Sequence, residues 1–483
     1  MAKQGLLAQS RPAANTDTVL YRAPIDQSAS TVLTIANDGT GSAYDVAVKD
    51  YDQKLTLDAS TYKLHEGDVI SSYVVEVGTP IPGTAALTAG STITTTDKEK
   101  SFKFESFYVP SYTEIFVQAI SIREVPIESV QGTFTVGDTL SKGAGSNTTT
   151  AKVYGVTASL LFIGPSTING TGTEFAAGDS IGNDAATGTA TISASPAITT
   201  AQEEFVFSVT TSTGNYGIYN GETFSIFDDR TYRFDVSDSS MSGRDFNLSE
   251  TINGEWGPDG IAGNSDDGTE FTTGKTSNGT AGSSGAYVQY AFGGSTTPST
   301  LYFYDGGTGT AANANYGGED RLIVFGESYT YPGIYVYDKV GTLVDDTDTF
   351  LVGGVTYTIT SQTSGAYGYV RDYTGTTLKF IKGLNSGDWS GTNTFRDVPK
   401  DNTADRTTAT ISSVDVAAAA VEASNYIVDG LTNGNNEVDK ITSLVVGPGE
   451  TVVVKSTTQN NVFSLIGFED SSTAITTRVF GQS

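Results

Sequence analysis

Cysteine is absent from this chain of 483 residues, and histidine occurs once, as His65. Without cysteine, disulfides, thiolate metal sites and cysteine nucleophiles are excluded. One histidine is too few for zinc or copper sites of the usual composition. His65 precedes Glu66-Gly67-Asp68, a context that predicts a surface turn. Because no Gly-x-Ser-x-Gly elbow accompanies it, we do not expect a Ser/His/Asp triad.

Basic residues are scarce: 27 Lys and Arg stand against 55 Asp and Glu, a net charge of −28. Phosphate contacts require clusters of Lys and Arg, so nucleic acid is not an expected partner. We interpret the charge as favouring solubility and repulsion between copies. A surface that binds cations is the more specific alternative interpretation. Long apolar runs are also missing, residues 159–163 being far too short to span a bilayer, so we expect no membrane insertion. Residues 1–15 have no apolar region of the kind found in a Sec signal.

The abundant residues are those that build sheets and turns. The chain has 55 Gly, 25 Tyr and 23 Phe, and β-branched and aromatic segments alternate with Gly, Asn and Asp clusters. This composition is typical of antiparallel sheets, and its aromatic content argues against disorder. We therefore predict an all-β protein of several antiparallel β-sandwich modules with hairpin-rich inserts.

The length favours several domains, and the strand patterns place boundaries between five segments. Residues 1–126 form a β-sandwich-like module, 127–200 a hairpin-rich insert, 201–347 a further sandwich module, 348–413 a second hairpin-rich insert, and 414–483 a closing module. The closing module is expected to hold one short Ala-rich helix over residues 414–428, because Ala and Glu favour helix there, followed by a β-hairpin.

The first insert contains a repeated motif of the form aromatic-x-x-Gly-Asp-x-aliphatic. It occurs at residues 134–140 and again at 175–181. Each copy predicts the apolar end of one strand, a Gly-Asp turn, and the apolar start of the next strand. The second insert loosely repeats the sequence pattern of the first, and its residues 350–353 correspond to residues 134–137.

Acidic residues supply the remaining candidate sites. The adjacent pairs Asp228-Asp229, Asp266-Asp267 and Asp345-Asp346 have the residue types of a glycosidase, but solvated loop residues are the default interpretation.

The glycine-rich segment 257–268 places Asp259, Asn264, Asp266 and Asp267 where their oxygens would wrap a Ca²⁺ ion. The spacing does not match an EF-hand, and a loop of Asx turns is the default. We expect no other cofactor.

Several short segments resemble virion structural proteins of marine cyanobacterial tailed phages. They are residues 1–10 (MAKQGLLAQS), 15–21 (NTDTVLY), 28–33 (SASTVL), 446–450 (VGPGE) and 467–469 (GFE). The resemblance implies a β-sandwich protein of the virion, assembled in the host cytoplasm, with other virion proteins as partners. It also implies a homo-oligomer, since such particles are symmetric.

Residues 224–310 are similar to a cupredoxin-like domain of such proteins. The similar parts are residues 232–235 (YRFD), 271–274 (FTTG), 285–288 (GAYV) and 301–304 (LYFY). Copper-binding members carry Cys and His after the last of these strands, whereas here Asp305-Gly306-Gly307 follows. The resemblance therefore implies a sandwich scaffold without copper.

The functional expectation is a non-enzymatic structural protein of the tail, neck or capsid exterior. Recognition of a host-surface glycan is the alternative, and a glycan-degrading enzyme with a carboxylate pair is the third. Five tyrosines in predicted exposed loops suit a partner or glycan surface, although core packing explains most aromatic residues better. They are Tyr331, Tyr335, Tyr337, Tyr367 and Tyr369.

Overall fold

The computed structural model divides the chain into two compact units, Met1–Tyr108 with Thr330–Ser483 (unit 1) and Val109–Tyr329 (unit 2). It describes residues 3–25, 27–217, 224–293, 297–307, 321–326, 328–363, 365–391, 394–396, 408–416 and 421–470. These residues form β-strands, turns and short 3-10 helices, and no α-helix occurs among them. The predicted all-β fold is confirmed.

The strands are numbered in chain order. Unit 1 begins with β1 (Gln4–Ser10), β2 (Thr18–Arg22), β3 (Ser28–Asn37), β4 (Ser42–Lys49), β5 (Gln53–Leu57), β6 (Val69–Ser71), β7 (Val74–Pro82), β8 (Thr92–Thr94) and β9 (Ser101–Tyr108). Unit 2 contains β10 (Thr113–Gly132), β11 (Thr139–Ala144), β12 (Asn147–Val156), β13 (Leu160–Ile163), β14 (Thr167–Ile168), β15 (Ser180–Asn183), β16 (Gly188–Ile192), β17 (Gln202–Ser208), β18 (Phe224–Ile226), β19 (Thr231–Asp235), β20 (Phe246–Ser249), β21 (Lys275–Asn278), β22 (Tyr287–Ala291), β23 (Thr300–Asp305) and β24 (Leu322–Phe325).

Unit 1 resumes with β25 (Thr330–Val340), β26 (Thr349–Val352), β27 (Val355–Thr363), β28 (Tyr367–Thr374), β29 (Thr377–Lys382), β30 (Thr394–Arg396), β31 (Thr408–Val416), β32 (Tyr426–Asn433), β33 (Val438–Val446), β34 (Thr451–Ser456) and β35 (Asn461–Asp470). Within the described ranges, the 3-10 helices are Ser239–Met241, Gly254–Trp256 and Ala423–Asn425.

Strands from both ends of the sequence build one β-sandwich in unit 1, which we call the terminal sandwich. One of its sheets has the order β1-β35-β3-β33 and the other β2-β34-β4-β32. Inward side chains alternate along β3, where Leu33 and Ile35 are fully buried, and along β35, where Phe463 and Leu465 are fully buried. The first and last segments predicted from the sequence therefore share a single core.

A second pair of sheets completes unit 1, with the orders β26-β27-β7-β25-β9-β8 and β30-β31-β5-β29-β28-β6. Alternate residues of the second sheet enter two different cores: Tyr369 packs towards the first sheet, and Val370 packs with Trp389 and Phe395 on the other side. Residues 348–413, predicted as a repeat of the first insert, thus contribute strands to sheets shared with β5, β6 and β7.

Unit 2 is organised around the long strand β10. Its residues 123–132 belong to a ring of strands that closes on itself, because β10 pairs with both β13 and β16. The ring runs β10-β13-β12-β11-β15-β16 and returns to β10. It encloses an aliphatic core with Val125, Val153, Leu161, Ile163 and Ile192. The predicted insert, residues 127–200, therefore does not form the ring alone, because residues 123–126 of β10 also belong to it.

The first half of β10 belongs to a sandwich in the same unit. It joins β17, β19, β22 and β21 in one sheet, and β18-β24-β23-β20 form the facing sheet. The core is rich in aromatic side chains, including Phe207, Phe234, Phe246 and Phe303. Pairing is parallel between β10 and β19 and between β18 and β24, so the sandwich is not purely antiparallel.

The two predicted Gly-Asp turns are confirmed and share one hydrogen-bonding pattern. In each turn the Asp carboxylate accepts the backbone N–H of the residue three positions earlier, Thr135 for Asp138 and Ala176 for Asp179, at 2.8 and 2.7 Å. Residues Gly67-Asp68 form a third copy, in which Asp68 accepts from the His65 N–H at 2.7 Å. The glycines have φ of 96°, 83° and 87°, a left-handed conformation that disfavours side chains.

The helix predicted over residues 414–428 is not found in the part of the chain that is described. Residues 414–416 end β31, Ala423–Asn425 is a 3-10 helix, and β32 begins at Tyr426. The alanines at 417–420 lie outside the described residues. β31 pairs with β5, Val414 lying opposite Leu55, and this tertiary pairing overrides the local helix preference.

Candidate functional site

Exposed apolar side chains gather on the outer face of one sheet of the terminal sandwich. This apolar face consists of Leu6, Val32, Val445, Ile466 and Phe468. Side chains alternate between the two faces of a strand, so these residues point away from the core that their neighbours fill. Their exposed fractions run from 36% for Val32 to 62% for Val445, well above those of core residues.

The strand register makes these side chains neighbours. Leu6 lies opposite Ile466, and Ile466 lies opposite Val32, which gives an apolar row across β1, β35 and β3. Phe468 and Val445 both lie opposite Ser30, one on each side of β3. Directly paired side chains contact each other across a sheet, so the residues form one continuous patch.

Charge is nearly absent from the apolar face. Within the four strands of this sheet, the charged residues that point outwards are Lys440 and Asp470, paired with Thr34 and Ser28 of β3. They lie about 20 Å apart along β3, at the spacing of about 3.3 Å per residue. On a chain with a net charge of −28, this sheet presents an uncharged centre with one charge of each sign near its ends.

Unit 1 also contains a pocket of about 690 Å³. Its lining is mixed, and the apolar part comes from Ala23, Pro24, Ile25, Ile381 and Leu384. The polar or charged side chains of the lining are Arg22, Lys103, Tyr337, Asp338, Tyr369, Lys382 and Asn385. The volume lies within the range of sites for small ligands.

Each cationic side chain of the pocket is paired with a carboxylate. Lys103 Nζ lies 2.9 Å from Asp338 Oδ2, and Lys382 Nζ lies 2.9 Å from an oxygen of Asp388. Arg22 forms an ion pair with Asp52. These pairs bring the local charge close to neutral.

The five tyrosines predicted in exposed loops lie instead on strands β25 and β28. Tyr337, Tyr367 and Tyr369 are buried in the core, and Tyr331 and Tyr335 are partly buried. The prediction of exposed loops was wrong. It treated the glycines near these tyrosines as loop positions, whereas they lie within or beside the strands. Tyr337 and Tyr369 nevertheless reach the pocket lining from the core side.

The hydroxyl of Tyr369 donates to Asp338 Oδ2 at 2.8 Å. The side chain of Tyr337 is 2% exposed, and among the described residues its recorded contacts are those of its ring, with Tyr369 and with Lys103 Nζ. Burial raises the pKa of Tyr337, with the nearby Asp338 carboxylate adding to the effect, so the phenol keeps its proton. Tyr337 therefore contributes a protonated phenol, able to donate and accept hydrogen bonds, to the residues that line the pocket.

The predicted calcium-binding residues meet in one loop, where they bond to the loop itself. The Asp259 carboxylate accepts from the Ile261 N–H and the Asn264 side-chain amide, at 2.8 and 2.9 Å. Asp267 accepts from the Asn264 N–H at 2.9 Å, and Asn264 Oδ1 accepts from the Asp266 N–H at 3.0 Å. These are Asx-type turns, the default interpretation. Among the described residues, no group of three or more His, Asp or Glu side chains is arranged to hold a metal. Calcium binding stays a prediction.

The adjacent Asp pairs outside this loop are engaged in separate local contacts. Asp228 accepts from the Tyr329 hydroxyl at 2.6 Å, while Asp229 pairs with Arg230 at 3.0 Å. Asp345 accepts from the Gln362 side-chain amide at 2.9 Å.

Asp305, which ends β23, is fully buried. It accepts from the Asp245 and Gly307 N–H groups at 2.8 and 2.9 Å. His65 lies in the predicted surface turn with its side chain 55% exposed.

In comparisons with known proteins, no family model, curated protein or solved structure matches the chain. Within the described ranges, no helix has the length and apolar character needed to cross a membrane. The fold defines an all-β protein of packed sheets. Its function must be argued from the apolar face and the pocket.

Proposed function

We propose that this protein is a non-enzymatic structural component of a tailed-phage virion, belonging to its tail, neck or capsid exterior and acting in assembly and stabilisation. The sequence resemblance suggests the setting, and the apolar face is the observation that carries the proposal. A continuous apolar patch with few charges marks a surface built for contact with another protein.

A second copy of the same chain is the occupant that the charge distribution favours. Two chains that each carry −28 repel one another over most of their surfaces, and the apolar face is where this repulsion is weakest. In a two-fold pairing of two such sheets, Lys440 at one end of each face approaches Asp470 of the other copy. Such self-complementarity is what a symmetric interface requires.

The dimensions of the sheet are sufficient for a specific contact. Four strands spaced about 4.8 Å apart, with about eight residues each at 3.3 Å, present an area of about 500 Å². Two copies packed face to face would bury about 1,000 Å², the lower bound for a specific interface. Repetition of such contacts around a symmetric particle would stabilise the assembly further.

Quantitative mass spectrometry of purified phage particles tests this function. Isotope-labelled peptides from β10 and β25 report the copy number per particle, and an abundant host cytoplasmic protein serves as the control for contamination. We expect a fixed copy number that survives repeated gradient purification. Loss of the chain at the same rate as the host protein would contradict a structural role.

A further inference from the structure

We propose that the pocket of unit 1 binds an uncharged saccharide of one to three sugar rings. This inference is independent of the assembly function, because the pocket and the apolar face share no lining residue. Its volume of about 690 Å³ accommodates a ligand of this size. Three features of the pocket indicate this ligand: its paired charges, its mixed lining and the phenol of Tyr337.

Charge excludes an anionic ligand as the preferred class. Arg22, Lys103 and Lys382 would attract an anion if they were unpaired, but each already contacts a carboxylate. An entering carboxylate or phosphate would have to displace Asp338, Asp52 or Asp388 from its cation. An uncharged ligand leaves these ion pairs intact and uses their remaining hydrogen-bonding capacity.

The lining matches the two kinds of surface that a sugar ring presents. Ile25, Ile381 and Leu384 offer apolar contacts to the C–H groups on the faces of a ring. Asp338 and Asn385 offer acceptors and donors to the hydroxyl groups at its edge. A purely apolar ligand would leave this polar lining without partners, at a cost for each group that loses water.

The hydroxyl of Tyr337 is the feature that most directly indicates a ligand. Tyr337 lines the pocket with a side chain that is 2% exposed, and within the described ranges its recorded contacts are those of its ring, with Tyr369 and Lys103. The neighbouring Tyr369 hydroxyl, by contrast, is held by Asp338 at 2.8 Å. A sugar hydroxyl would both donate to and accept from Tyr337, which a hydrocarbon group cannot do.

The polar groups of the pocket are fixed in place before any ligand binds. Asp338 has a φ of 46° and Asn385 a φ of 59°, left-handed conformations that need support from their surroundings. The Leu384 N–H donates to Asp338 Oδ1 at 2.9 Å, and the Asn385 side-chain amide donates to the Lys339 carbonyl at 2.9 Å. Preorganised groups bind a ligand with little ordering cost.

Titration by isothermal calorimetry and ligand-observed NMR tests the proposal on the full chain. The probes are neutral di- and trisaccharides of glucose, galactose and mannose, with digalacturonate as the anionic comparison. We expect at least one neutral probe to bind with a Kd below about 5 mM, and digalacturonate to bind more weakly. Failure of every neutral probe at this concentration, or tighter binding of digalacturonate, would overturn the proposal.

Two variants locate the binding. Tyr337→Phe removes the hydroxyl alone and should weaken binding about three- to tenfold. Tyr357→Phe is the matched control, because Tyr357 is buried in the same core but lies outside the pocket lining, and its Kd should not change. Leu384→Asp places a charge at the exposed rim and should also weaken binding. Equal affinities for the wild type, Tyr337→Phe and Leu384→Asp would show that the saccharide binds elsewhere and refute the assignment.

Discussion

The hydroxyl of Tyr21 donates to Oε1 of Glu469 at 3.0 Å, joining residues 448 positions apart in the sequence. Glu469 also accepts from the Lys3 N–H through Oε2, at 2.7 Å. Its carboxylate is buried, so the two bonds satisfy a charged group that would otherwise be costly to enclose. Strand β2 and β35, the last strand of the described chain, are thus joined by a buried polar contact.

Replacing Tyr21 by Phe should destabilise the terminal sandwich. The change leaves Glu469 Oε1 buried without this partner, and we expect the free energy of unfolding to fall by about 1–3 kcal/mol. Urea denaturation followed by circular dichroism measures the effect. Tyr62→Phe is the control, since its bond to Asp58 is solvent-exposed and should contribute less. Equal losses in the two variants would show that burial of Glu469 is not the cause.

The left-handed glycines of the Gly-Asp turns offer a test of backbone conformation. Gly178 has a φ of 83°, and a Cβ added there would meet no atom within 4 Å. Gly178→Ala therefore isolates the conformational penalty, and we expect a loss of about 1 kcal/mol in urea denaturation.

Gly387→Ala provides the matched control for that measurement. An added Cβ at Gly387 also meets no atom within 4 Å, but its φ lies outside the left-handed range. We expect a change close to zero. A loss at Gly178 no larger than that at Gly387 would contradict the turn conformation.

Alkaline pH should destabilise the fold through its buried tyrosines. Burial raises the pKa of Tyr44, Tyr73 and Tyr216 to about 12, above the value of about 10 expected in an unfolded chain. The folded state holds these protons longer, so their contribution is present below pH 10 and is lost as the pH rises towards 12. Tyrosinate absorbance near 295 nm, recorded together with circular dichroism, should show part of the tyrosines ionising only as the strands unfold. Complete ionisation near pH 10 in a folded protein would contradict this.

Composition and local motifs predicted the fold class and part of the turn chemistry. The motifs at Gly137-Asp138 and Gly178-Asp179 were recognisable because an aromatic residue precedes each one. A turn was also predicted at Gly67-Asp68, but not as a third copy of the motif, because Leu64 occupies the aromatic position. Its bonding pattern is nevertheless the same, so the apolar character of that position matters more than its ring.

Long-range pairing could not be predicted from local pattern. The segment around Val414 favours helix in isolation, and only its pairing with Leu55 makes it a strand. The outward direction of Val32 was equally hidden, because Val32 and its neighbour Leu33 are both apolar and either could point inwards. The apolar face and the pocket both depend on which distant strands meet, so sequence reasoning missed them.

Sedimentation velocity tests the central claim, that copies of this chain associate through the apolar face. The measurement compares the wild type with Ile466→Glu, which places a charge in the apolar row, and with Leu351→Glu. Leu351 is the control because it is 60% exposed on β26, away from that face. We predict that the wild type and Leu351→Glu sediment as dimers or larger species at micromolar concentrations, while Ile466→Glu sediments as a folded monomer. A monomeric wild type, or association that persists in Ile466→Glu, would contradict the account.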